Sequence, residues 1–243
     1  MGPSGLTTGG LHVVDPLTER EIADIIDAYA RGAADAARLG FDGVELHAAH
    51  GYLIDQFFWE ATNRRTDRYG GDVAGRTRFA VDIVQACRRA TGPDFPILLR
   101  FSQWKISRYE ARLATTPDDL ARFLSPLVDA GVDMFHCSTR RFWEPEFEGS
   151  PLTLAGWTKK LAGKPTIAVG SVGLTGDFIS WFGGAEAGTR GVEDLISRLD
   201  AGEFDLVAVG RALLADSAWA LKIREGRASD VRTFTRDLLQ TLT

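Results

Sequence analysis

Phe41-Asp42-Gly43-Val44-Glu45-Leu46-His47-Ala48-Ala49-His50-Gly51-Tyr52 is the stretch that decides the fold. It follows Gly40, a helix-ending residue. Val44 to His47 reads as a short buried strand. Two histidines and a tyrosine come at its carboxyl end, spaced His-x-x-His-x-Tyr. On a continuing strand His47 and His50 would point to opposite faces, because side chains alternate with period two. Both reach one site only if the chain turns after His47, roughly as one turn of helix does. Ala48, Ala49 and Gly51 are small enough to permit that turn. Three readings of the trio stand side by side. The histidines are satisfied core residues. Or they are half of a zinc site at i, i+3, although no Cys or acidic residue sits at a convincing spacing for a third ligand. Or they are two neutral N–H donors aimed at an oxyanion, beside a tyrosine that gives a proton.

Upstream of this stretch, residues 1–16 are rich in Gly and Pro and read as a loop. Thr18 and Glu21 form a capping box, and Ile22, Ile25, Ile26, Tyr29, Ala33 and Ala36 then share one helical face. Downstream, a second helix from Gly75 to about Thr91 turns Phe79, Ile83, Val84 and Cys87 inward, and Gly92-Pro93 stops it. Ile97 to Phe101 is a short apolar strand that carries Arg100. Thr116-Pro117 opens a third helix with Leu120, Phe123, Leu124, Leu127 and Val128 inside, closed by Gly131. Met134 to Ser138 is the next strand, and an aromatic loop runs from Thr139 to about Leu154. Thr166 to Val169 is a further strand, then come helical pieces near 178–182 and 192–199. Leu206 to Val209 is the last strand, before a short helix and a charged tail. The strand ends lie about 30–55 residues apart, as βα units should. Short continuous apolar runs fit a parallel sheet covered on both faces.

The chain has 243 residues, 44% of them hydrophobic, which suits one globular domain with a substantial core. The formal net charge is -5, and no basic stripe with interleaved aromatics argues for nucleic acid as a partner. Cys87 and Cys137 form no pair motif and read as reduced thiols of a cytoplasmic protein. No apolar run approaches the ~20 residues of a membrane span, and Met1 to Gly5 do not have the form of a signal peptide.

The run after the histidines raises the specificity: Asp55-Gln56-Phe57-Phe58-Trp59-Glu60-Ala61-Thr62-Asn63-Arg64-Arg65-Thr66-Asp67-Arg68-Tyr69-Gly70-Gly71. Together with His-x-x-His-x-Tyr it closely resembles the old yellow enzyme family, the FMN-dependent ene-reductases. The likeness is greatest to the two-histidine bacterial branch, through Arg100-Phe101-Ser102-Gln103-Trp104-Lys105 and Gly170-Ser171-Val172-Gly173. It extends from about Leu17 to about Arg227. The resemblance implies a (β/α)8 TIM barrel, which takes about 250 residues and eight βα units. Only about five strands are legible, and the match begins in the loop before the family's fourth strand. The expectation is a single partial barrel domain over 1–243. It has a loop at 1–16, family-matching βα units at 17–227 and a tail at 228–243. It corresponds to the last five βα units of a truncated barrel.

Site residues follow from the resemblance. Arg100 is expected at the flavin N1/O2 edge, where a cation favours the reduced, anionic form. The apolar run before it independently argues that it points into a site. Gly170, Ser171, Val172 and Gly173, with Gly210 and Arg211, are expected at the FMN phosphate. Small residues there let backbone N–H groups approach, and an arginine adds a bidentate charge. His47 and His50 would bind the substrate's carbonyl or nitro oxygen, and Tyr52 would protonate the α-carbon of an activated alkene. Trp104 and Trp143 would line the substrate pocket, with Phe142 beside them, or else pack. Asn63, Arg65, Asp67 and Tyr69 would brace the loop. The implied cofactors are FMN and, as reductant, NAD(P)H, with no metal. Two rivals stay open. One is a non-catalytic fragment that binds FMN weakly, self-associates or needs a complementary amino-terminal segment. The other is a barrel of other chemistry, such as a metal-dependent aldolase, for which a carboxylate-rich cluster is missing.

Overall fold

Each strand in the computed structural model is followed by a helix, and every strand pair is parallel. The structure describes residues 2–177, 180, 183–184 and 187–239. The elements are α1 (Glu19–Arg38), β1 (Val44–His50), α2 (Leu53–Phe58), α3 (Val73–Thr91), β2 (Ile97–Lys105), α4 (Pro117–Ala130), β3 (Met134–Ser138), α5 (Leu154–Ala162), β4 (Thr166–Val169), α6 (Glu193–Asp200), β5 (Leu206–Val207), α7 (Arg211–Ala215) and α8 (Trp219–Arg224). Two 3-10 turns, Ala228–Asp230 and Arg236–Leu239, follow. The helix expected near 178–182 lies outside the described residues. The short helices α2 and α5 are additional to the helices expected from the sequence.

The chain forms two compact units. The first comprises Met1–Ser138 and Trp157–Thr166, the second Thr139–Gly156 and Ile167–Thr243. In the first, β1, β2 and β3 pair in that order, and α1, α3 and α4 pack side by side. Local chemistry sets the helix ends. Thr18 Oγ1 accepts the Glu21 N–H at 3.2 Å while the Glu21 carboxylate accepts the Thr18 N–H at 2.8 Å. Such a cap contributes about 1 kcal/mol. Gly131 ends α4 at φ +104, in the left-handed region where a side chain would be strained.

The strands of this unit alternate. Leu46 and Ala48, Ile97, Leu99 and Phe101, and Phe135 and Cys137 are buried on one face. Phe101 meets Phe123 of α4 at 5.3 Å and Phe135 at 6.1 Å between ring centroids, so this face is the one under the helices. Glu45, His47, Arg100, His136 and Ser138 occupy the alternate positions, hence the other face. The strands are therefore not apolar on both faces; the second face carries a polar cluster. Two strands also run further than the apolar pattern indicates, β1 to His50 and β2 to Lys105. In the second unit β4 pairs with β5, which is only Leu206–Val207, shorter than expected.

The loop after α2 is braced as expected. Asn63 Nδ2 donates to the carbonyls of Phe57 (2.7 Å) and Tyr69 (2.8 Å). Arg65 pairs with Asp67 and donates to the Pro3 carbonyl at 2.7 Å. Tyr69 donates to Asp82 at 3.2 Å. Cys87 and Cys137 are buried and free, and burial pushes the Cys87 thiol up to about 11.

The apolar face of α1 is not fully covered where it meets the start of β1. Ile25, Ala28, Tyr29, Gly32 and Ala33 line a groove with Val44, Glu45 and Leu46, of about 400 Å³. Exposed apolar surface of this kind binds amphipathic dyes and partner chains. The chain is expected to enhance ANS fluorescence, and Ala28→Glu, which puts a charge in the groove, to lower it without lowering the melting temperature. An ANS signal unchanged by Ala28→Glu would place the dye elsewhere.

Candidate active site

β1 does not turn helically after His47. It continues as strand through His50, and its register against β2 slips: Ala48 pairs with Phe101, but His50 pairs with Lys105. Two residue steps on β1 thus face four on β2, a bulge that bends the strand end. His50 adopts φ +64 and Gly51 φ +87. The bulge and this left-handed residue, not a helical turn, bring the imidazoles together. The rings of His47 and His50 lie 5.4 Å apart, and Tyr52 lies 5.0 Å from His47.

A left-handed histidine costs roughly 1–2 kcal/mol, so its surroundings must fix it. Its N–H donates to Ser102 Oγ at 2.9 Å, and its carbonyl accepts from the Ile106 N–H at 3.3 Å. The Ser102 hydroxyl in turn donates to the Trp104 carbonyl at 2.7 Å. The Gly51 N–H donates to Asp55 Oδ2 at 2.6 Å, and Lys105 Nζ donates to Asp55 Oδ1 at 2.8 Å. Both side chains of that ion pair are 0% exposed. Lys105, Asp55 and Ser102 are functional neighbours that the sequence reading did not single out, although Ser-x-x-Lys sits inside the quoted run.

Both histidines are neutral donors at ordinary pH. Burial, then the nearby Arg100 cation, pushes His50 down to about 3. The same two causes lower His47. Arg100 lies beside His47 in the sheet register and donates from Nη2 to Ser138 Oγ at 3.3 Å. Its Nε is buried with no partner among the described residues. Trp104 is only 6% exposed and stacks on His50 at 4.5 Å, with Nε1 donating to the Ser138 carbonyl at 3.2 Å. It therefore backs His50 and is not an open pocket wall. Tyr52, at 54% exposure, is the accessible member of the group. Glu45 and His136 form a further pair on this face, 2.7 Å apart. Burial works against the Glu45 charge, but the His136 bond and the Arg100 cation hold its carboxyl below the usual range.

The second unit holds the expected phosphate loops. Gly170 has φ +148, and a Cβ there would meet Thr139 Oγ1 at 2.6 Å. Ser171, at φ +49, donates its hydroxyl to the Arg140 carbonyl at 2.8 Å, which leaves only backbone for a phosphate. Val172 is buried. A Cβ on Gly173 would come within 3.0 Å of Trp219 and 3.4 Å of Ala212, so this turn packs on α7 and α8. Arg211 donates to the carbonyls of Gly176 at 2.7 Å and Asp177 at 3.5 Å. The two loops thus meet, and around Gly210 there is open space. Arg211 ties them together and is not a free phosphate clamp in this state. Trp143 stacks under Arg190, 3.7 Å from its ring, and Phe142 is buried, so both pack within this unit.

Residues 8–177 match the family model described as the NADH:flavin oxidoreductase / NADH oxidase family. The chain belongs to this family. It is 36% identical over 224 residues to an NADH oxidase of Thermoanaerobacter brockii, covering 89% of this chain and 31% of that protein. It is 33% identical to an NADPH dehydrogenase of Clostridium acetobutylicum, covering 84% of this chain and 55% of that protein. The old yellow enzyme homologue from Zymomonas mobilis superposes with a TM-score of 0.72 at 23% identity over 95% of this chain and 59% of that one. A morphinone reductase variant superposes at 0.74 and 24% identity, over 98% of this chain and 62% of that one. These structures show the fold: parallel strands alternating with helices that match part of a TIM barrel. The chain spans about a third to three-fifths of the length of these relatives.

Within the NADH:flavin oxidoreductase fold, the residues present suit FMN. In the first unit, the Arg100 Nε is a buried donor that an acceptor on the isoalloxazine would satisfy. In the second unit, taken by itself, Gly210 carries no side chain to bar a phosphate.

Two outcomes test this architecture. Lys105→Met leaves Asp55 buried and uncompensated, and should cost about 3–5 kcal/mol in urea unfolding. Adding Asp55→Leu should recover part of it, but not the Gly51 N–H bond. His50 takes up its proton in the unfolded state near 6.5 but in the folded state only near about 3. Its contribution is therefore complete above pH 6.5, and is lost as pH falls towards 3, a few kcal/mol in all. His50→Gln should flatten the fall of the urea midpoint across that window; an unchanged slope would assign acid sensitivity to other groups.

Proposed function

We propose that this chain carries the substrate-handling face of an NAD(P)H-dependent ene-reductase that acts on activated C=C bonds such as enones and nitroalkenes. The observation that carries the reading is the convergence of two neutral imidazoles and an exposed phenol at one strand end, beside the half-buried Arg100 cation. When bound, FMN supplies the hydride, drawn from NAD(P)H. His47 and His50 donate to the substrate's carbonyl or nitro oxygen, where negative charge builds as the β-carbon is reduced. Donors fixed at that position are worth about 3 kcal/mol each. Neutral imidazoles suit the task, since each keeps one N–H and one lone pair. Tyr52 delivers its hydroxyl proton to the α-carbon. Arg100 would hold the anionic edge of the reduced ring system. In the second unit, taken by itself, the Gly170–Gly173 and Gly210–Arg211 backbones would offer N–H groups to a phosphate.

A second reading is favoured by the open groove beside β1: a chain that binds FMN weakly and turns over only with a complementary polypeptide. FMN titration separates the two. Stoichiometric flavin on the purified chain supports the first, and weak, readily dialysed flavin the second.

In the flavin-loaded protein, His47→Ala should weaken phenol and enone binding and slow alkene reduction by about 100-fold. Tyr52→Phe should slow the alkene half-reaction while leaving flavin reduction by NAD(P)H nearly intact. Equal losses in both half-reactions, read by stopped-flow absorbance, would remove Tyr52 from the proton-donor role.

A further inference from the structure

Ser138 ends β3 at 3% exposure, with its hydroxyl between two groups of the site. Arg100 Nη2 lies 3.3 Å away and His50 Nε2 2.8 Å away. A guanidinium carries donors only, so the Ser138 oxygen accepts from Arg100. Serine has one hydrogen of its own to place. Among the described residues the remaining partner of Oγ is His50 Nε2. If that nitrogen carried a hydrogen, the oxygen would receive two donors and its own hydrogen would be buried without an acceptor. An unsatisfied buried donor costs about 1–3 kcal/mol. The arrangement closes only if Ser138 donates to an unprotonated Nε2.

We propose that Ser138 is a positioning residue: it holds His50 as the Nδ1–H tautomer, so that Nδ1–H is the group His50 offers to a substrate oxygen. Neutral imidazole has a single N–H, so fixing one nitrogen as acceptor fixes the other as donor. Trp104 completes the device. Its ring stacks on His50 at 28° and sets the imidazole plane, and its Nε1 donates to the Ser138 carbonyl. His50 Nδ1 has no hydrogen-bond partner among the described residues. Arg100 thereby acts twice, as the cation of the site and as the donor that orients the serine hydroxyl. The part of this inference that concerns substrate oxygen rests on the ene-reductase reading; the tautomer does not.

The experiment uses the whole chain labelled with 15N-histidine, at neutral pH. Long-range 1H–15N correlation spectra separate Nδ1–H from Nε2–H imidazoles, and the chain has only 4 histidines. His50 is assigned by the loss of its signals in His50→Gln. The expected wild-type pattern at His50 is a protonated Nδ1 and a bare Nε2. Ser138→Ala should shift the population towards Nε2–H, and Ser138→Thr should restore the wild-type pattern. An Nε2–H tautomer in the wild-type chain, or a tautomer unmoved by Ser138→Ala, would overturn the proposal. If Ser138→Ala fails to fold, the wild-type and Ser138→Thr spectra still decide. Titration with phenol then separates the two layers. A shift at His50 Nδ1 supports both. A His50 that is Nδ1–H yet blind to phenol supports the Ser138 assignment and counts against the alkene reading.

Discussion

A lysine and an aspartate with no exposed surface hold the strand end on which the site is built. The Lys105–Asp55 pair is not simply a stabilising contact, because desolvating two charges costs several kcal/mol and an apolar pair of similar volume would often do as well. What the pair does is geometric. Asp55 accepts the Gly51 N–H with its second oxygen, and Lys105 sits opposite His50 in the slipped register. The pair, with Ser102, therefore clamps the left-handed His50 from both sides. Without that clamp His50 would relax to an extended conformation and point its ring away from His47.

The same cations shape the chemistry. Both imidazoles are partly desolvated and lie near Arg100, with Lys105 also acting on His50, and these effects disfavour an imidazolium. Two histidines at one strand end would otherwise titrate close to neutral pH. Here they remain donors with a lone pair, while Glu45, bonded to His136 beneath them, keeps a countercharge on the same face. Polar groups gather on this face because the other is filled by Phe101, Phe123 and Phe135.

In the second unit the constraint is steric. Gly170 and Gly173 stand where a Cβ would strike Thr139 and Trp219. Glycine there serves close packing as well as any approach of a phosphate. Arg211 links the turn to the start of α7 through the Gly176 carbonyl, which accounts for an arginine at that position even before a ligand is considered.

Much was legible in the sequence because it was local. Capping by Thr18 and Glu21, the stop at Gly131, the apolar faces of α1, α3 and α4, and the five strands each follow from periodicity and turn chemistry within a dozen residues. The His-x-x-His-x-Tyr trio and its bracing run through Asn63, Arg65, Asp67 and Tyr69 were legible for the same reason. Tertiary structure decided how the trio converges. The spacing alone called for a helical turn after His47; pairing with β2 imposed a bulge instead, since a register slip depends on a strand about 50 residues away. It also decided that Trp104 braces His50, that Arg211 binds carbonyls, and that Asp55, Lys105 and Ser138 belong to the site. Those roles arise from contacts between residues 34 to 88 positions apart, and no local pattern encodes which distant partner a buried polar group will meet.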